Sequence, residues 1–222
     1  MEARRGQTAI EYVMIVGGAI LFVVLVVLII RSGVIARATT DVEQKSGDYL
    51  DKYGRPYLFF DDFGSIGGTN SKWNNTGGVW LIQNGKLVVP AVVDASIYTR
   101  SVFTNFTMEF KAQRTAGTTL GVRFRRRGTS YYQLEVNPGI SQMTLTGNGV
   151  FQSASDAAIA AVASSEVRFS IRAYGDIIQV FVNGNLLIDT IDPAPLLSGQ
   201  IGLYADAGTQ AQFDDVRVYS EE

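Results

Sequence analysis

The sequence has no cysteine and no histidine in 222 residues. That removes disulfides, thiolate and imidazole metal sites, Cys or His nucleophiles and every Ser-His-Asp arrangement. Any chemistry has to rest on carboxylates, Tyr, Lys or Arg. Proline is scarce, with five residues and none before Pro56, so nothing forces a break in a helix over the first part of the chain. An excess of one charge is lacking too: 19 basic residues stand against 21 acidic ones, a formal net charge of −2. Nothing in that balance points to nucleic acid, and no nucleic-acid partner is expected. A domain of roughly 150 residues is large enough to be stable without disulfides, so the missing cysteines leave the compartment open.

Charge is also missing locally. From Tyr12 to Ile30 run 19 consecutive uncharged residues rich in Val, Ile and Leu. A helix of that length spans the hydrocarbon core of a bilayer. It shows no polar stripe, which argues against an ordinary soluble core helix. Arg4 and Arg5 precede the run, so the positive-inside tendency places the N-terminus in the cytoplasm and the chain after Arg31 outside. Glu11 stands at the start of the run, where a membrane segment tolerates a carboxylate poorly. Either it snorkels to the interface or it has a partner.

The stretch Arg4-Arg5-Gly6-Gln7-Thr8-Ala9-Ile10-Glu11-Tyr12, continued through Gly18, resembles the class III signal peptide of archaeal type IV prepilins. The resemblance implies that a prepilin peptidase cuts between Gly6 and Gln7 and that the apolar helix is retained. It further implies that Glu11 pairs with the new terminal amine of an adjoining subunit during assembly. A carboxylate beside a buried amine would offset part of its desolvation cost. The implied organisation is a leader at 1–6, a pilin helix at 7–52 and a head at 57–222. The expected protein is a homo-oligomeric surface filament, built by pilus assembly machinery from a membrane-inserted precursor whose head lies outside. After Arg31 the pattern turns amphipathic, so one helix from Gln7 to about Leu50 is expected. The alternative is a membrane-anchored or secreted carbohydrate-binding module. Ala36-Arg37-Ala38 offers an A-x-A site whose cleavage would release the head, although the apolar run is longer than a usual secretory one.

From about Tyr57 the period changes to alternation, punctuated by Asn-Gly pairs at 84–85, 148–149 and 183–184. Strands are expected near 80–82, 87–89, 97–103, 106–113, 119–127, 130–136, 141–146, 166–173, 176–182, 185–190, 199–204 and 211–219. This is an all-β, two-layer sandwich. Phe60-Asp61-Asp62-Phe63, the stretches Glu166–Phe169 and Ile178–Gly184, and Phe213–Val218 resemble the concanavalin A-like jelly rolls, especially their laminin G-like branch. The resemblance covers nearly all of 58–222 and implies that the first and last strands of the head pair.

Many proteins of that superfamily bind or cut polysaccharides. Hydrolysis needs two carboxyls about 5–9 Å apart, and retaining glucanases of this fold carry Glu-x-Asp-x-x-Glu on one strand. That motif is absent, and Glu109, Glu135 and Glu166 stand alone, so no enzymatic activity and no cofactor are expected. Glycan binding is the sharper possibility: Arg123, Arg125, Tyr131 and Gln133 share the polar face of a hairpin by two-residue alternation, and Tyr98 and Tyr204 are candidates to join them. Ordinary cross-strand pairing is the plain alternative. Arg125-Arg126-Arg127 reads as a solvated hairpin tip. Asp61, Asp62, Asp214 and Asp215 are weak calcium candidates beside a reading as turn and edge residues, and no metal is expected. Asn74 and Asn105 begin acceptor patterns for N-glycosylation.

Overall fold

The computed structural model of the protein describes residues 11–12, 14–17, 20–24, 57–64, 66–90 and 93–221. The chain divides into two compact units, Met1–Arg55 and Pro56–Glu222. In the first, residues 11–12, 14–17 and 20–24 are helical, with Tyr12, Met14, Ile15, Leu21 and Phe22 exposed. The long helix expected from Gln7 to about Leu50 is not shown beyond these short pieces. Among the described residues, no helix is long and apolar enough to cross a membrane. Helices draw most of their stability from packing an apolar face, and Val- and Ile-rich segments have modest intrinsic helix propensity. The apolar run thus set the expected character of the segment without fixing the length of its helix. Glu11 is helical and exposed. Gly6, Gln7 and the Ala36-Arg37-Ala38 site lie outside the described residues.

The second unit is a jelly-roll-like sandwich of two antiparallel sheets, as its alternation predicts. The first sheet contains β1 (Tyr57–Asp61), β3 (Leu81–Gln83), β4 (Lys86–Val89), β6 (Phe106–Ala116), β11 (Val167–Tyr174), β12 (Ile177–Val182), β13 (Asn185–Ile191) and β15 (Gln210–Ser220). Its order is β13-β12-β11-β6-β15-β4-β3, and β1 also pairs with β15. The second sheet contains β2 (Trp73–Gly77), β5 (Ala95–Thr99), β7 (Leu120–Arg127), β8 (Ser130–Asn137), β9 (Gln142–Gly147), β10 (Val150–Ser155) and β14 (Gln200–Ala205), in the order β10-β9-β8-β7-β14-β5-β2. Two short helices, α1 (Ile66–Lys72) and α2 (Ala157–Ala161), lie in connections.

The register follows from turn chemistry and from burial. All three Asn-Gly pairs close two-residue hairpins, β3–β4, β9–β10 and β12–β13, with both residues at positive φ. Along β8, Tyr132, Leu134 and Val136 are buried while Tyr131, Gln133 and Glu135 between them are half-exposed. A one-residue slip would carry that whole apolar set to solvent. Stacked pairs such as Phe110 with Phe169, at 5.2 Å between ring centroids, and Phe124 with Tyr132, at 5.3 Å, fill the space between the sheets. Strands β2 and β10 and both short helices were not among the expected elements. Their sequences are polar or Ala-rich and carry no clear period of their own.

Candidate functional site on the second sheet

Residues directly opposite one another across a sheet share a face. On the face of the second sheet turned away from the core, one row runs Tyr98, Gly202, Arg123, Gln133, Thr146 and Phe151 across β5, β14, β7, β8, β9 and β10. The next row runs Ser96, Tyr204, Gly121, Glu135, Thr144 and Ser153. Each row has one glycine, and each glycine makes room for a tyrosine lying across it. A Cβ on Gly202 would come within 2.3 Å of Tyr98 Cδ1, and one on Gly121 within 2.9 Å of Tyr204 Cε1.

The tyrosines lead to Arg123. The Arg123 Nη1 group donates to the Tyr98 hydroxyl at 3.0 Å and its Nε to Gln133 Oε1 at 2.5 Å. Its guanidinium carbon stands 4.8 Å from the Tyr131 ring centroid and 4.9 Å from that of Tyr204. Burial disfavours its charge, yet the bond to Tyr98 and the surrounding phenol oxygens outweigh that and push its pKa above the ordinary arginine range. The guanidinium is therefore a fixed cation whose plane is set from four sides. Gln133 in turn donates to Glu135. Tyr98 and Tyr204 are each only 2% exposed, so they support the arginine from below and are not themselves open stacking faces.

Arg125 does not join this group. It is buried, and its Nε and Nη2 donate to the Thr104 carbonyl at 3.3 and 3.2 Å while Nη1 donates to the Gly175 carbonyl at 2.7 Å. The expectation that Arg123 and Arg125 share a face fails because β7 carries a bulge. Pairing with β8 shifts register between Phe124 and Arg127, and Arg125 adopts φ 49. The extra residue turns Arg125 inward and presents Arg126 outward instead. Arg126 stands 4.1 Å over the Tyr98 ring and donates to Gln200 Oε1 at 3.1 Å.

Beside this platform lies an acidic neighbourhood of Glu135, Asp206 and Asp94. Burial first, then the field of Glu135 and Asp94, push the Asp206 carboxyl up against the opposing bond from Thr119. The Tyr204 hydroxyl is buried without a hydrogen bond of good geometry. Burial, then the fields of Glu135 and Asp206, raise its pKa far above the ordinary phenol range. Phe151, at the end of the first row, is 70% exposed.

The remaining candidates lie elsewhere. Asp61 is buried, accepting from the Phe63 N–H at 3.0 Å and from Trp73 Nε1 at 2.8 Å, while Asp62 accepts from the Gly64 N–H at 3.1 Å. Asp214 accepts from the Asp215 N–H at 2.7 Å, and Asp215 pairs with Lys111 at 2.6 Å. These four carboxylates are engaged with protein donors, and no group of three or more metal-type side chains gathers among the described residues. Asn74 is exposed on β2, whereas Asn105 is half-buried and accepts from the Gly175 N–H at 3.0 Å. Sequence reasoning missed Arg126, which only the bulge brings outward, and Phe151, whose strand showed no alternation. It read Glu135 as isolated because the acids beside it, Asp94 and Asp206, come from segments flanking β5 and β14.

The model of the 3-keto-alpha-glucoside-1,2-lyase-like domain family matches residues 58–219. No curated protein matches the sequence. Among solved structures, the chain is similar to the carbohydrate binding module CBM66 from Bacillus subtilis, with 19% identity over 67% of this chain and 96% of that one and a TM-score of 0.57. It is similar to a protein of unknown function with a galectin-like fold from the same organism, with 15% identity over 76% and 98% and a TM-score of 0.64. It is also similar to the Bacillus licheniformis beta-glucanase, with 11% identity over 74% and 98% and a TM-score of 0.59. At these identities the structures speak to the fold. The findings overturn the expected filament subunit: the matched family and the similar folds are those of carbohydrate-active proteins, not of pilins. The pilin resemblance rested on residues 4–18, where a basic pair before an apolar run is what any membrane-directed segment requires.

Proposed function

Since this chain belongs to the 3-keto-alpha-glucoside-1,2-lyase-like domain family, we propose that it is an exported carbohydrate-binding module whose sugar lies along the outer face of the second sheet. The row from Arg123 through Gln133 and Thr146 to Phe151 is the observation that carries the reading. Arg123, held in plane by Tyr98 and Gln133, offers its remaining N–H groups to sugar hydroxyls. Three strand spacings away, about 14 Å, Phe151 offers an aromatic face to the apolar side of a further sugar ring. Supporting contacts come from Tyr131, Glu135 and Arg126. The apolar segment before the head serves as its export signal or its membrane anchor.

The test is a glycan array with the full-length chain, followed by calorimetry on the best oligosaccharide. Arg123→Ala is expected to weaken binding about 10- to 100-fold, in line with about 1.5–3 kcal/mol for hydrogen bonds from a charged group. Phe151→Ala is expected to cost about tenfold while leaving stability within about 0.5 kcal/mol, because its ring is exposed. Unchanged affinity in both variants would remove the site from this face.

One observation favours a second reading, a lyase. Asp206, with its raised pKa, and Glu135 lie beside the buried Tyr204 hydroxyl, a grouping suited to proton transfer. A keto group at C3 of a glucoside acidifies the C2 proton. Glu135, as the base that removes it, lets the C1–O bond break as a C1=C2 bond forms, and the departing oxygen takes a proton from Asp206 and leaves as an alcohol. Incubation with a 3-keto-α-glucoside, followed by the ultraviolet absorbance of the conjugated product, decides it: turnover abolished by Glu135→Gln supports the lyase, and no turnover leaves binding alone.

A further inference from the structure

A cavity lies away from that face, at the edge of the sandwich where β2 ends one sheet and β3 ends the other. It encloses about 340 Å³ and is lined by Thr69, Asn70, Asn75, Trp80, Leu81, Ile82, Gln83, Leu87 and Ile97. Its volume is within the range of small-ligand sites. Leu87 and Ile97 belong to the core and form an apolar floor. Trp80 packs toward Phe213 at 6.1 Å between centroids, and its Nε1 donates to the Gly77 carbonyl at 3.1 Å, so its ring is fixed as one wall. Asn75 spans the Gly77–Gly78 turn, accepting from Gly77 N–H at 3.0 Å and donating to Gly78 O at 3.2 Å. That turn fixes the part of the backbone that leads into Trp80.

The chemistry of the lining selects the ligand. None of these nine side chains is charged, which gives an ionic ligand no counter-charge and leaves its desolvation uncompensated. The exposed carboxamides of Asn70 and Gln83 would be stripped of water by a purely apolar ligand, also without compensation. A fixed indole, an apolar floor and neutral amides together fit a neutral polyol with one apolar ring face. We infer that this edge cavity is a second carbohydrate site, which takes a single neutral sugar ring, terminal in a chain or free, independently of the site on the second sheet.

The chain has two tryptophans. Trp73 is buried and bonded to Asp61, and Trp80 lines the cavity, whereas the rows on the second sheet contain none. Tryptophan emission therefore reports on the edge site. The full-length chain is titrated with D-glucose, D-galactose, D-mannose, N-acetylglucosamine and maltose, each to about 100 mM, a span that reaches millimolar dissociation constants. At least one of these sugars is expected to give a saturable change in emission that persists in Arg123→Ala and weakens at least tenfold in the double variant Asn70→Ala/Gln83→Ala. No saturable change with any of the five overturns the inference. So does a change abolished by Arg123→Ala, which would assign the signal to the sheet, or one that survives the double variant. Because the emission readout and the Arg123 readout are separate, either site can fail without the other.

Discussion

Arg125 shows how little a residue's type says about its place. Three arginines in a row at 125–127 read as a solvated tip, yet the first is fully buried and ties two loop carbonyls, Thr104 and Gly175, to β7. Burial lowers its pKa against the favourable influence of Tyr132 and Asp192, and its N–H groups are taken up by the two carbonyls. Arg125→Met keeps much of the volume but leaves both carbonyls without their donors. It is expected to cost about 2–4 kcal/mol, seen as a lower urea midpoint with an unchanged slope. Arg126→Met, one residue on, removes a half-exposed cation over Tyr98 and one bond to the Gln200 side chain, and is expected to change stability by less than about 1 kcal/mol.

At the scale of the strand, what shapes the proposed site is the pairing of a bulge with two glycines. The bulge in β7 decides which arginine faces outward, and its partner β14 shifts register between Gln200 and Gly202. Gly202 and Gly121 then make room for Tyr98, whose hydroxyl meets Arg123, and for Tyr204, whose ring lies against it. Their substitutions should differ in kind. A Cβ at Gly202 meets chiefly the Tyr98 ring, so Gly202→Ala is expected to displace that ring and weaken sugar binding as Tyr98→Phe does, by removing the support of Arg123. A Cβ at Gly121 falls 1.9 Å from the Leu134 carbonyl oxygen, so Gly121→Ala strains the pairing of β7 with β8. It is expected to lower stability by about 1–3 kcal/mol, read from thermal unfolding.

Over the whole sandwich, buried polar ties close the ends that the sheets leave open. The Tyr132 hydroxyl donates to Asp192, the Asn148 amide donates to the same carboxylate at 2.9 Å, and the Ala194 N–H donates at 2.9 Å, joining β8, the β9–β10 turn and the segment before β14. Burial opposes ionisation of Asp192, but these bonds and the field of Arg125 outweigh it and hold its carboxyl below the ordinary 3.8. A carboxyl with a lowered folded pKa contributes stability that is fully present above its unfolded value and is lost as pH falls through the folded one. Wild-type stability should therefore fall as pH drops below about 3.8. Asp192→Asn should be less stable at neutral pH and show a shallower acid slope, measured by denaturation at a series of pH values. An unchanged slope would show that Asp192 does not govern acid unfolding.

The sequence by itself determined the all-β sandwich of the second unit. Period-two burial and three Asn-Gly turns are local instructions, and β8 and the three hairpins follow them residue by residue. It also named Tyr98, Arg123, Tyr131, Gln133 and Tyr204, since side chains two residues apart share a face wherever a strand is regular. Tertiary structure alone decided the rest. Whether Arg125 or Arg126 faces outward depends on a one-residue bulge, and that depends on what β8 and β14 offer in pairing. Phe151, the acids gathered around Glu135 and the edge cavity are assembled from segments distant in the chain, so no window of sequence contains them. The apolar N-terminal run misled for the complementary reason: hydrophobicity specifies that a segment leaves water, while its partner, filament or membrane, is specified by nothing within the segment.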